Sequence, residues 1–154
     1  MALFSRILLC YDGTKEGRRA LRYGPELARA HHAETHLLAV LDSAYWISGF
    51  DAIATEAVSV EERSAREVLS EGVRQLEELG APAVGHLASG NPIDRISQLA
   101  WKLNVDLIVL GHRRCGLLKR WWAALGHRSL LDEVRCSVLV AVDPGEAEPT
   151  SGGA

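Results

Sequence analysis

The sequence predicts an α/β protein, a single domain built on a doubly wound, five-stranded parallel sheet. Three observations lead there. Five short apolar runs bounded by turn signals alternate with stretches whose apolar residues recur at helical spacing. The best of these runs are continuously apolar instead of alternating with polar residues, the pattern of strands covered on both faces. The chain has 154 residues, 47% of them apolar, which is enough for one core without metals or disulfides.

Each element has its own justification. "ILLCY" at residues 7–11 is a buried strand ended by the turn pair Asp12-Gly13. Ala20, Leu21, Leu27 and Ala28 follow at helical spacing, with Thr14 placed to cap the helix and Gly24-Pro25 placed to kink or break it. "THLLAVLD" at residues 35–42 is the second strand. After the mixed segment "SAYWISGFDA" comes a long helix with Ala65, Val68, Leu69, Val73, Leu76 and Leu79 as one stripe, stopping at Gly80. "AVGHLAS" at 83–89 alternates weakly and makes a third strand. Asn91-Pro92 opens a helix that carries Ile93, Ile96, Ala100 and Leu103 on one face. "VDLIVLG" at 105–111 and "SVLVAV" at 137–142 complete the sheet. Residues 1–143 are read as the domain, and residues 144–154, rich in Pro, Gly, Ser, Thr and Glu, as a disordered tail.

Composition narrows the function. A formal net charge of −3 argues against a protein coated in positive charge to hold duplex nucleic acid. No apolar run approaches the roughly 20 residues that span a bilayer, and the N-terminal run is too short for a signal-peptide core. The three cysteines, Cys10, Cys115 and Cys136, are odd in number and widely spaced, as reduced thiols are. A cytoplasmic protein without nucleic-acid or membrane partners is expected. His31, His32 and His36 do not have the spacing of a metal site, and surface or helix-terminal positions are expected for them. No residue stands out as a nucleophile, and catalysis is not expected.

In open parallel sheets, ligands bind beyond the carboxyl ends of the strands at the point where the strand order reverses. That rule singles out Asp12, Gly13 and Thr14, the stretch 40–42, the stretch 89–91, and the chain from Gly111 onward. Two readings of Asp12 stand side by side: an acceptor for an amine or a ribose hydroxyl, or a turn residue that caps a helix. From Gly111 the chain carries three glycines, Gly111, Gly116 and Gly126, among Arg113, Arg114, Lys119, Arg120 and Arg128. Glycine-exposed amides ahead of a helix start bind phosphate. Leu117, Leu118, Trp121, Trp122 and Leu125 lie at helical spacing within the same stretch, which also fits an amphipathic helix or a contact surface.

"ILLCYDGTKEGRRALRYGPELA", "GNPIDRISQLAWKLNVDLIVLGHR" and "CSVLVAV", in this order, resemble the universal stress protein family over nearly the whole chain. The resemblance implies an adenine-nucleotide alpha-hydrolase-like fold, a homodimer formed through the last strand, and members that bind ATP and members that do not. It also implies that Asp12 meets the adenosine and Val40 the adenine edge. ATP-binding members carry Gly, two residues, Gly, nine residues, then Gly followed by Ser or Thr. Gly116 and Gly126 keep the nine-residue gap here, but Gly111 precedes Gly116 by four residues, Arg114 stands where a glycine is expected, and His127 replaces the hydroxyl. Ser129 is the nearest substitute for that hydroxyl.

The expected function is that of a stress-type regulator binding ATP or a related adenine nucleotide, with Mg²⁺ arriving only with the nucleotide. Arg113, Arg114 and Arg128 are the expected phosphate-facing cations. The alternative is a dimeric interaction module of the same fold that binds no nucleotide and uses Trp121, Trp122 or the loop 45–50. A receiver domain would need an acidic cluster after the first strand and an aspartate ending the third. An ATP pyrophosphatase would need a Ser-Gly-Gly loop after the first strand. "YDGTKEG" and "HLASG" supply neither.

Overall fold

A computed structural model describes residues 3–19, 21, 23–41, 52–113 and 129–143. The proposed tail at 144–154 lies outside them, as do the loop 45–50, Cys115, Trp121 and Trp122. The elements run β1 (Arg6–Tyr11), α1 (Lys15–Arg19), α2 (Gly24–Ala30), β2 (Glu34–Leu41), α3 (Ala52–Glu78), β3 (Ala83–Ser89), α4 (Pro92–Leu103), β4 (Leu107–Arg113), α5 (Leu130–Glu133) and β5 (Ser137–Asp143). The five strands form one parallel sheet in the order β3-β2-β1-β4-β5. The chain moves outward from β1 to β3, returns to the other side of β1 as β4, and continues to β5. The reversal therefore falls between β1 and β4.

Alternate residues of each strand feed two apolar layers. Ile7, Leu9 and Tyr11 of β1 pack with Leu37, Ala39, Val109 and the α1–α3 side, including Leu21, Ala28, Val68, Leu69 and Leu76. Leu8 and Cys10 face the other way, with Leu38, Val40, Ile108 and Leu110, onto Ile93, Ile96 and Ala100 of α4 and Leu130 of α5. β1 is buried on both faces, which is why its sequence is continuously apolar.

Helix ends set the observed element boundaries. Gly24-Pro25 breaks the first helical stretch as expected: α1 stops at Arg19, and α2 restarts at Gly24 with Pro25 in its first turn, where a missing N–H is harmless. α3 closes with Gly80 N–H donating to Glu77 O at 3.0 Å and Ala81 N–H to Leu76 O at 2.9 Å. Gly80 has φ +82°, the left-handed turn this closure requires. Leu79 therefore falls beyond the last helical residue and is 56% exposed, outside the stripe to which its spacing assigned it.

α4 closes in the same way on Asn104, at φ 52°, with Val105 N–H donating to Ala100 O at 3.1 Å. That closure takes Val105 out of the predicted fourth strand, and Asp106 goes to bracing the start of β1, its carboxylate accepting from Ser5 N–H at 2.8 Å and Arg6 N–H at 3.1 Å. At its other end β4 runs past Gly111, because Gly111, His112 and Arg113 pair with Ala141, Val142 and Asp143 of a β5 one residue longer than predicted. No helix among the described residues is long and apolar enough to cross a membrane.

Candidate functional site

Asp12 leaves the carboxyl end of β1 beside the reversal point and is 6% exposed. Its Oδ1 accepts two hydrogen bonds from Thr14, from N–H at 3.1 Å and from the hydroxyl at 2.6 Å. The Thr14 hydroxyl oxygen in turn accepts from Gly17 N–H at 2.9 Å, capping α1. The two readings of Asp12 are thus compatible at different atoms: Oδ1 organises the turn and cap, and no described residue donates to Oδ2.

Two glycines shape this corner. Gly13 has φ +83°, and a β-carbon there would sit 2.8 Å from Leu41 Cδ2, so the turn lies close over the end of β2. Gly17, on the first turn of α1, faces the carboxylate. A β-carbon on Gly17 would collide with Asp12 Oδ1 and lie 2.7 Å from Asp12 Cγ. Sequence reasoning did not single out Gly17; its spacing of five from Asp12 acquires meaning only once α1 folds back over the turn.

Val40 follows the last β1–β2 register pair, Tyr11↔Ala39, and is therefore level with Asp12. Its side chain is fully buried in the α4-side layer, so only its backbone can meet a ligand at this edge. From the next strand, Gly90 N–H donates to Leu41 O at 2.9 Å, and the Asn91 side chain accepts from Ile93 N–H at 3.0 Å and Asp94 N–H at 3.3 Å to start α4. Arg95 Nε–H donates back to Ser89 O at 2.9 Å. The ends of β1, β2 and β3 are thereby tied into one rim.

The other expected residues divide. Gly111 is buried and paired with Ala141 inside β4, so the expectation that the strand stops there is corrected: it runs on to Arg113 beside the longer β5. Arg113 is the last residue of β4. Arg114, Gly116, Gly126, His127 and Arg128 lie outside the described residues. Ser129 is the N-cap of α5: its hydroxyl accepts from Leu131 N–H at 3.2 Å, and Asp132 accepts from Ser129 N–H at 3.4 Å. Its oxygen accepts within a capping box, so the hydroxyl proton is what Ser129 still has to offer a ligand.

Two neighbouring groups are electrostatically quiet. Burial pushes the Cys10 thiol up, with Cys136 adding to the shift, so it stays protonated. Burial likewise pushes the Tyr11 hydroxyl up, against the opposing pull of Arg18. This hydroxyl has no hydrogen-bond partner among the described residues. A separate cleft of about 440 Å³ opens between α1, α2 and α3, with Leu9 and Leu37 as its floor. Arg18 in its wall donates to Val68 O at 2.5 Å and to Gln75 Oε1 at 3.4 Å, fastening α1 to α3. Asp12 is not part of its lining.

The histidines hold a cluster that the spacing did not reveal. His31 and His32 end α2 as expected, but His36 is only 4% exposed inside β2. Its Nδ1 lies 2.9 Å from His86 Nε2 and its Nε2 3.0 Å from Glu34 Oε1. No group of three or more His, Cys, Asp or Glu among the described residues has metal-holding geometry.

Known proteins bear on this architecture. A universal stress protein from Burkholderia pseudomallei superposes with a TM-score of 0.68 at 24% identity, over 91% of this chain and 97% of that one. UspA from Lactobacillus plantarum gives 0.69 at 22% identity, covering 92% and 99%. The Archaeoglobus fulgidus universal stress protein in complex with dAMP gives 0.57 at 22% identity, covering 91% and 98%. At these identities the superpositions establish the shared doubly wound fold. No curated protein is detectably similar in sequence. The sequence itself matches the universal stress protein family over residues 3–142, and the chain belongs to that family.

Proposed function

We propose that this protein is a regulator that binds ATP or a related adenine nucleotide along the rim formed by the ends of β1, β2 and β4. One observation carries the reading: the Asp12 carboxylate stands at the strand-order reversal with Oδ1 held by Thr14 and with Oδ2 receiving no hydrogen bond from any described residue. Oδ2 accepts from a ribose hydroxyl or an amine, Gly13 and Thr14 shape the floor, and the Val40 backbone borders the base. Arg113, Arg114 and Arg128, with the amides of Gly116 and Gly126 and with His127 and Ser129, receive the phosphates. Mg²⁺ comes with those phosphates. The dAMP complex of the Archaeoglobus relative supports the choice of an adenine nucleotide. Binding without turnover is proposed, because the carboxylate here organises a turn and accepts hydrogen bonds. The protein works in the cytoplasm as a homodimer joined along β5, whose outer edge no described strand covers.

Thermal shift with ATP, ADP, AMP, cAMP and GTP, each with Mg²⁺, tests this reading. A ligand at 100 times its dissociation constant adds about 2.7 kcal/mol to stability, which for a chain of this size raises Tm by about 5–10 °C. The adenine series is expected to give such shifts and GTP a smaller one. The commitment of Ser129 to the α5 cap and of Gly111 to the β4 ladder favours the second reading, an interaction module without nucleotide. No shift with any nucleotide at millimolar concentration decides for it.

A further inference from the structure

We infer that Glu34, His36 and His86 form a proton-sensitive latch, which holds the edge strand β3 on β2 while at most one extra proton is bound and releases it when both imidazoles are charged. The residues meet through register. His86 pairs with Leu38, and His36 lies two positions back along β2, so both rings project to the α4 side of the sheet as a diagonal cross-strand pair. Their ring centroids are 5.1 Å apart.

The hydrogen bonds dictate the proton positions. The Glu34 carboxylate can only accept, so His36 Nε2 carries a proton and donates across 3.0 Å. In the neutral ring Nδ1 is then bare and accepts, across 2.9 Å, the proton on His86 Nε2. One added proton enters at His86 Nδ1 and leaves this contact intact. A second has only His36 Nδ1 left, and two N–H groups would then face each other across 2.9 Å. The surrounding charges favour the neutral arrangement at His86. Lys102 of α4 opposes a positive charge there, while Arg6 of β1 bonds Glu34 at 3.3 Å and divides that carboxylate's attention. Burial foremost, then His36 and Lys102, hold the His86 imidazole below the ordinary histidine range.

β3 is suited to be the part that moves. Among the described strands it pairs with β2 alone, and its residues are half-buried or exposed along its length. It also leads directly into Gly90 and Asn91, whose hydrogen bonds set the end of β2 and the start of α4. Loosening β3 thus reaches the rim of the sheet through covalent continuity. This inference rests on the cluster alone and stands or falls independently of nucleotide binding.

Hydrogen exchange of the full chain at pH 7.5 and 5.0, corrected for intrinsic exchange, tests it beside His86→Gln, whose amide keeps a donor for His36 Nδ1 and does not titrate. In the wild type, protection of β3 amides is expected to fall at least about tenfold more than that of β1 amides, the factor carried by one pH unit of proton linkage. In the variant the fall is expected to stay within about threefold. Equal loss in the two proteins overturns the latch. Imidazole NMR of the wild type is decisive even if the variant fails to fold. A His86 Nε2–H tautomer at pH 7.5 and coupled titration of the two rings support the latch, whereas two independent single-step titrations overturn it.

Discussion

Replacing Gly17 with alanine probes the corner on which the proposed site depends. The new methyl group collides with Asp12 Oδ1, approaches Asp12 Cγ to 2.7 Å and Thr14 Oγ1 to 3.1 Å, and forces the carboxylate to turn away. Turning it away breaks the hydrogen bonds from the Thr14 N–H and hydroxyl. Hydrogen bonds to a charged acceptor contribute about 1.5–3 kcal/mol each. Against that loss, alanine in a helix gains about 1 kcal/mol over glycine. Losing both bonds against that gain leaves a net destabilisation of about 2–5 kcal/mol. That corresponds to a Tm lower by about 4–20 °C. The sign should reverse when Asp12 is already alanine, because the colliding oxygen and carbon are gone and only the helix gain of up to about 1 kcal/mol remains. Thermal or urea unfolding of the wild type, the two single variants and the double variant measures the cycle. If Gly17→Ala destabilises equally in both backgrounds, the carboxylate is not what demands glycine at 17, and the account of this corner is wrong.

Three other outcomes follow from the structure. Asn91→Ala removes the acceptor of two N–H groups at the start of α4 and should lower stability by about 1 kcal/mol in urea unfolding, with Asn91→Ser largely restoring it. Ile108→Ala empties a fully buried position between Leu8 and Val138 and should destabilise by about 2–5 kcal/mol, the same unfolding experiment serving as the check. A histidine held below its ordinary range binds its proton less readily in the folded state than in the unfolded state. His86 therefore contributes nothing adverse above its unfolded value of about 6.5 and destabilises increasingly as pH falls below it, so Tm of the wild type should drop between pH 7 and 5 more steeply than Tm of His86→Gln.

The strands were legible in the sequence because the sheet is parallel and covered on both faces, so each inner strand wrote itself as an unbroken apolar run. "AVGHLAS" was found at its observed bounds, since turn residues flank it on both sides. The fourth strand was displaced by two residues at each end for reasons no local pattern carries: Val105 closes α4, Asp106 braces β1, and the far end is extended by pairing with β5. Gly111 misled for the same reason. A glycine after an apolar run reads as a break, yet neighbouring backbone on β5 keeps it in the ladder.

At the site, Asp12, Gly13 and Thr14 could be read because their interactions are between near neighbours in sequence. Gly17 could not, because its importance depends on the direction in which α1 leaves the turn. The His36–His86 pair, fifty positions apart, depends on the β2–β3 register and is invisible to any spacing rule. The three isolated signals, a buried-strand histidine, a half-buried strand histidine and Glu34 two residues before His36, combine only when the strands are laid side by side.

Isothermal titration of the full chain with ATP·Mg²⁺, run beside Asp12→Ala, asks whether this carboxylate holds a nucleotide. Saturable binding is expected in the wild type and at least about tenfold weaker binding in the variant, the loss expected when an acceptor in a charge-assisted hydrogen bond is removed. Binding of equal strength in both proteins would place the nucleotide elsewhere, and no binding by the wild type at millimolar ATP would contradict the claim outright.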